Sequence, residues 1–124
     1  MNNLEFAIEI QHRTMLFAVQ VVKFVAKLPR TEEGRILGRQ LLRAGTSVGA
    51  NYRAVCRSKS AADFISKMGT VVEEDDESLF WLELLEKSGV CNTASVELLQ
   101  TEANELLRIF SSSLSTAKEN RRQV

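Results

Sequence analysis

The chain has 124 residues, which is enough for one domain built around a single hydrophobic core. Hydrophobic residues make up 44% and charged residues 26%, a composition typical of a folded globular domain and unlike that of a disordered chain. Sixteen Lys and Arg balance sixteen Asp and Glu, no apolar run approaches the ~20 residues of a membrane span, and the amino terminus lacks a secretory signal.

Three short breaks divide the chain into four predicted helices. Pro29 ends the first helix and Thr31 can cap the second. Ser60 begins the third, Gly89 ends it, and Thr93 can cap the fourth. The sequence predicts one all-α domain over 1–124, with helices near 3–28, 32–57, 61–87 and 94–117 and a frayed polar tail over 118–124.

Apolar residues cover more of the first helix than one buried face requires. The fourth helix confines them to one stripe, as expected in a four-helix monomer, whereas the first helix carries two. The end of the third helix also directs large apolar residues away from its main stripe. Long helices wrapping a thicker core would be one explanation. We instead expect an oligomer interface formed by Leu4, Ile8, Met15, Val19, Val22, Phe80, Trp81 and Leu84.

The residue types needed for catalysis or metal binding are scarce. His12 is the single histidine, and Cys56 and Cys91 lie far apart without a Cys-x-x-Cys motif. Gly45 and Gly49 match no phosphate-binding loop and indicate close helix packing instead. The sequence therefore predicts no enzyme activity, no cofactor and no metal. The absence of a disulfide framework favours a reducing cytoplasm.

Asp75 falls in the centre of the apolar stripe of the third helix, with Ser78 beside it. Ser47 and Asn51 share a face at the margin of the second helix's apolar stripe. A carboxylate in a core is costly unless it is paired or hydrogen-bonded. We therefore predict a buried polar contact between Asp75 and some of Ser47, Asn51 or Arg43. This contact would fix helix register, with a catalytic or ligand-binding role as the alternative.

The second helix carries a row of arginines opposite its apolar stripe. At 100° per residue they fall within about 80° of one another, a row that can follow a nucleic-acid backbone. Tyr52 lies off this row and does not favour base stacking. The predicted nucleic-acid-binding residues are Arg35, Arg39, Arg43, Arg53, Arg57, Lys59 and Lys67.

The zero net charge is the sum of two segregated blocks. Residues 35–67 carry seven bases and one acid, whereas residues 73–86 carry seven acids and no base. The arginines have two other possible partners, the acidic run 73–77 of the same bundle and that of a neighbouring subunit. A solvated basic face is a further alternative.

Residues 41–85 combine several short motifs: Arg43-Ala44, Ser47-Val48, Asn51-Tyr52-Arg53, Asp63-Phe64, Lys67, Asp76-Glu77-Ser78 and Trp81-Leu82. This pattern resembles the bacterial four-helix-bundle proteins encoded by 23S rRNA intervening sequences. The resemblance implies an antiparallel, left-handed up-and-down bundle, a homo-oligomer that is typically a pentamer, and no established enzyme activity. Ala54 and Glu73 depart from the family pattern, where Glu and Lys are expected. The second departure makes this chain less basic than its relatives.

The accessory variability determinant of diversity-generating retroelements is similar in fold to that family. It is a basic pentameric barrel that binds nucleic acid and a reverse transcriptase. We therefore expect a non-catalytic, homo-oligomeric scaffold that binds RNA or DNA backbone and has no membrane role. The alternative is a protein-interaction module with no nucleic-acid role, whose arginine row pairs with an acidic surface.

Overall fold

The structure is a computed structural model that describes residues 2–123, which form four α-helices and, over that range, no strand. They are α1 (Asn3–Ala26), α2 (Glu32–Val55), α3 (Ala61–Lys87) and α4 (Ala94–Arg122). α2 packs on α1 and α3, and α4 packs on α3, while α1 and α4 meet in a smaller contact. The helices form a four-helix bundle. None of the described helices is both long enough and apolar enough to span a bilayer.

Side-chain caps define where three of the helices begin. Asn2, Thr31 and Ser60 each accept a hydrogen bond from the backbone N–H three residues later, satisfying a donor that the first turn leaves unpaired. Thr93 occupies the cap position of α4 but makes no such bond. Gly89 has a φ of 78°, the left-handed conformation that favours glycine after a helix end.

α4 is longer than predicted, because it continues to Arg122 where a frayed tail was expected from residue 118. Arg122 lies 3.6 Å from Glu119 within the last turn, and Gln123 also donates a hydrogen bond to Glu119. The positive charges of Arg121 and Arg122 also suit the negative end of the helix dipole. Residue 124 lies outside the described residues.

Glycines on one side of α2 allow close packing against α1. A Cβ atom on Gly45 would lie 3.0 Å from both methyl groups of Val21, and one on Gly49 would lie 3.3 Å from the Thr14 backbone. At Gly34 a Cβ would collide with the Pro29 carbonyl oxygen. The predicted role of Gly45 and Gly49 in close helix packing is therefore confirmed.

Candidate nucleic-acid interface

The five predicted arginines all lie on the outer side of α2 or in the turn after it, and all are exposed: Arg35, Arg39, Arg43, Arg53 and Arg57. Their position follows from helical spacing, because Leu41, Val48 and Val55 direct the opposite side of α2 into the core. They differ in whether their charge is already paired.

Arg43 forms ion pairs with α3. Its Nη1 lies 3.3 Å from Glu74 Oε2, and its Nη2 hydrogen-bonds to Glu77 Oε1. Glu77 also accepts a hydrogen bond from Trp81 Nε1 at 3.2 Å. The Arg43 hydrogen bond, followed by that of Trp81, lowers the pKa of Glu77. Arg43 is thus held by the acidic run of its own chain, which was one of the alternatives for the arginine row.

Lys67 is also paired within the chain, with its Nζ 2.9 Å from Asp63 Oδ2. The Lys67 hydrogen bond, and then that of the Lys59 backbone N–H, lowers the pKa of Asp63. Among residues 2–123, by contrast, Arg39, Arg53, Arg57 and Lys59 have no carboxylate at ion-pair distance. Two of the seven predicted cations, Arg43 and Lys67, are therefore already paired with carboxylates of the same chain.

Arg35 and Arg39 line a groove beside the α1–α2 turn, together with Arg30, which is not among the predicted binding residues. The groove has a volume of about 490 Å³ and an apolar floor that includes Leu28 and Leu42. Arg35 Nη1 donates a hydrogen bond to the Arg30 carbonyl oxygen at 2.9 Å, which holds the two residues together. The sequence does contain a signal for Arg30. It directly follows Pro29, where the first predicted helix ends, and it extends the row of basic residues toward the amino terminus.

The predicted contact of Asp75 with α2 is not formed. Asp75 and Ser78 are fully buried as predicted, but both carboxylate oxygens of Asp75 lack a hydrogen-bond partner. Ser47 donates to the Arg43 carbonyl oxygen, Asn51 to that of Ser47, and Ser78 to that of Glu74. Each of these short polar side chains donates to the backbone of its own helix one turn earlier instead of to Asp75.

Burial raises the pKa of Asp75 to about 8, with smaller contributions from the negative charges of Asp76 and Glu102. Asp75 is therefore mostly protonated at neutral pH, which removes most of the cost of an unpaired carboxylate in the core. Over residues 2–123, no three His, Cys, Asp or Glu side chains are grouped so as to hold a metal ion. Both cysteines are free thiols.

Comparison with protein families decides the identity of this bundle. Residues 7–112 match the 23S rRNA-intervening sequence protein family. The chain belongs to that family. A solved structure from Bacteroides thetaiotaomicron VPI-5482, a protein with unknown function from the S23 ribosomal protein family, is 30% identical in sequence. It superposes with a TM-score of 0.78 over 85% of this chain and 97% of that one. A comparison with curated proteins finds no match.

In this 23S rRNA-intervening sequence family member, most of the predicted interface residues are exposed. On α1 they are Leu4, Ile8, Met15, Val19 and Val22, with exposed fractions between 40% and 69%. Phe80 on α3 is 56% exposed, while Trp81 and Leu84 are half-buried. The ring of Phe80 meets the edge of Trp81 at a centroid distance of 5.0 Å. α1 and α3 are not adjacent helices of the bundle, and these residues form two separate apolar patches, one on each helix.

Proposed function

We propose that this protein is a non-catalytic, homo-oligomeric scaffold that binds the phosphate backbone of RNA or DNA. The supporting observation is the row of exposed cations that lack an ion pair among residues 2–123: Arg35, Arg39, Arg53, Arg57 and Lys59. Along α2 the row spans about 27 Å from Arg35 to Arg53, at ~1.5 Å per residue. Guanidinium groups at this spacing can each engage a phosphate with two hydrogen bonds.

Binding through this row would be tolerant of sequence and sensitive to salt. Phosphate contacts fix position without reading bases, and each neutralised phosphate releases counterions. The logarithm of the binding constant should fall by about 0.7 to 0.9 per contact for each tenfold rise in salt. Arg43 and Lys67 should contribute less than the other predicted cations, since each already has a carboxylate partner.

A binding titration against RNA and duplex DNA at several salt concentrations tests the proposal. The variant Arg39→Glu/Arg53→Glu/Arg57→Glu should lose binding and most of its salt dependence. The matched control is the variant Lys87→Glu/Arg108→Glu/Lys118→Glu, which reverses three exposed charges that lie outside α2. Equal binding by the two variants, or no binding by the wild type at low salt, would contradict the nucleic-acid role.

The homo-oligomer is proposed from the two apolar patches, on α1 and around Phe80. Two different patches on helices that are not adjacent favour a head-to-tail interface, which closes into a ring when the rotation permits. A pentamer with antiparallel, left-handed, up-and-down protomers is the form that the family resemblance suggests. The short connections between the helices favour antiparallel neighbours.

Light scattering at micromolar concentration tests the assembly. The wild type should have several times the mass of one chain, and Met15→Glu/Val19→Glu should be a folded monomer. Gln20→Glu, an exposed α1 position at least about 100° around the helix from each residue of the apolar patch, is the control and should leave the mass unchanged. A monomeric wild type would contradict the scaffold.

The second candidate is a protein-interaction module with no nucleic-acid role. It is supported by the Arg43 ion pairs with Glu74 and Glu77, because they join the basic and acidic blocks of one chain. Glu73 and Asp76 of the same acidic run are exposed, so a neighbouring subunit could use them to bind further arginines. Under this alternative, Glu73→Gln/Asp76→Asn would weaken the oligomer, and nucleic acid would not bind.

A further inference from the structure

One end of the bundle contains an open cavity of about 600 Å³, a volume in the range of ligand sites. All four helices contribute to it: the start of α1, the end of α2, the start of α3 and the last turns of α4. Phe6 lies on the core-facing side of α1. Its side chain remains 39% exposed because the helices do not close over it at this end of the bundle. The proposed functions above make no use of this cavity.

The walls of the cavity are aromatic and uncharged. Phe6 and the half-buried Phe64 present ring surfaces, and Tyr52 and Met68 lie deeper. The lining contains no Asp, Glu, Lys, Arg or His among the described residues. The aromatic and uncharged lining favours a flat, neutral group over an anion.

The α4 side of the cavity is lined by polar groups that make no hydrogen bond to the rest of the described chain. They are the hydroxyls of Ser112, Ser113 and Thr116 and the amide of Asn120. The α4 side of the cavity therefore offers donors and acceptors to a bound group.

Basic residues adjoin the cavity lining in sequence or line the depression next to the cavity. Arg57 lies between Cys56 and Ser58, which both line it, and exposed Lys59 follows. Arg121 lines a depression that adjoins the cavity and shares Phe64 with it. Arg57 and Lys59 are also the last members of the cationic row along α2.

We propose that this cavity holds an unpaired nucleobase of a single-stranded nucleic acid, with the adjacent phosphates on Arg57 and Lys59. A nucleobase is flat, neutral and edged with hydrogen-bonding groups, so it matches aromatic walls and free hydroxyls. A base within a duplex cannot reach such a site without leaving its stack. The inference rests on the proposed function and narrows its ligand from nucleic acid in general to single strands.

The test compares three short ligands of equal length: a single strand, its abasic counterpart and a duplex. The wild type should bind the base-containing strand about tenfold more tightly than the abasic strand, the size expected for one stacked base. Ser113→Phe fills the cavity and should reduce binding to the abasic level. Ser95→Phe places the same ring on α4 at a cavity at the other end of the bundle, and should have no effect.

Alkylation of Cys56 gives a second measurement that needs no substitution in the cavity. Cys56 is an exposed free thiol in the lining, and Cys91→Ser removes the other cysteine. At saturation, the base-containing strand should slow alkylation, whereas the abasic strand should not.

The experiment distinguishes the failure of the base site from the failure of the proposed function. Equal affinity for the base-containing and abasic strands, or equal alkylation of Cys56 with both, overturns the base site and leaves backbone binding intact. No binding of any of the three ligands at low salt overturns the proposed function, and the base site with it.

Discussion

Arg13 of α1 and Glu102 of α4 form a two-point ion pair, with Nε 2.8 Å from Oε2 and Nη2 2.9 Å from Oε1. Their side chains are 32% and 26% exposed, so the pair is partly protected from water. It joins the two helices that share the smallest helix–helix contact of the bundle. We infer that it limits how far α1 can separate from α4.

A double-mutant cycle with Arg13→Gln and Glu102→Gln should therefore give a coupling energy of about 1 kcal/mol, at the upper end for ion pairs of this exposure. Two parallel hydrogen bonds fix the geometry, which reduces the entropic cost of the contact. Urea unfolding measures the four free energies. The matched control is the exposed pair of Arg108 and Glu105, 3.8 Å apart, whose coupling should be near zero. Equal coupling energies for the two pairs would contradict the inference that the Arg13–Glu102 pair limits the separation of α1 from α4.

Asp75 should make the stability of the fold depend on pH. Its pKa is about 8 in the folded chain against an ordinary 3.8, so between these values the folded state holds a proton that the unfolded state has released. The free energy of unfolding should consequently fall as pH rises through this window, by up to ~1.4 kcal/mol per pH unit from this group.

The variant Asp75→Asn cannot ionise, so its stability relative to wild type should increase from pH 5 to pH 8. Urea unfolding at several pH values measures the difference. Glu73→Gln, which neutralises an exposed carboxylate of the same helix that does not contribute to the raised pKa of Asp75, is the control and should leave the pH dependence nearly unchanged. Wild-type and Asp75→Asn curves that run parallel with pH would show that Asp75 does not carry the dependence.

Two glycine substitutions should have opposite effects on stability. Gly45→Ala places a methyl group 3.0 Å from the buried Val21, and overpacking of this kind costs ~1 to 3 kcal/mol. Gly69→Ala meets no atom within 4 Å and should stabilise α3 by up to ~1 kcal/mol through helix propensity. Chemical denaturation measures both. Stabilisation by Gly45→Ala would mean that α1 and α2 are less closely packed than described.

Local signals in the sequence predict much of the fold. Thr31 and Ser60 cap helices because their side chains need only the next turn of the chain, and Gly89 ends one through its own φ. The apolar stripe that contains Phe17 predicts its burial by the same short-range periodicity. The end of α4 was missed because its stabilising contact, between Glu119 and Arg122, lies in a segment without apolar periodicity.

The candidate site depends on which residues of separate helices meet, and periodicity does not supply that information. Arg43 and Arg39 look equivalent in sequence, yet only Arg43 lies opposite Glu74 and Glu77. The partnership of Arg13 with Glu102 crosses 89 positions of sequence. The expected Asp75 contact is not formed, and Ser47 and Asn51 donate to their own backbone instead, which burial arguments do not predict.

The fluorescence of Trp81, the single tryptophan, should report how Arg43 holds Glu77. Trp81 Nε1 donates to the same Glu77 oxygen that Arg43 engages, and these bonds keep the pKa of Glu77 below its ordinary 4.5. An acid titration of Trp81 fluorescence should therefore have its midpoint below that value. Arg43→Gln should raise the midpoint, because removing the guanidinium makes the carboxylate easier to protonate. Arg39→Gln, which removes a neighbouring charge that does not contact Glu77, should leave it in place, whereas equal shifts in both variants would mean that the whole arginine row acts on Glu77 at long range.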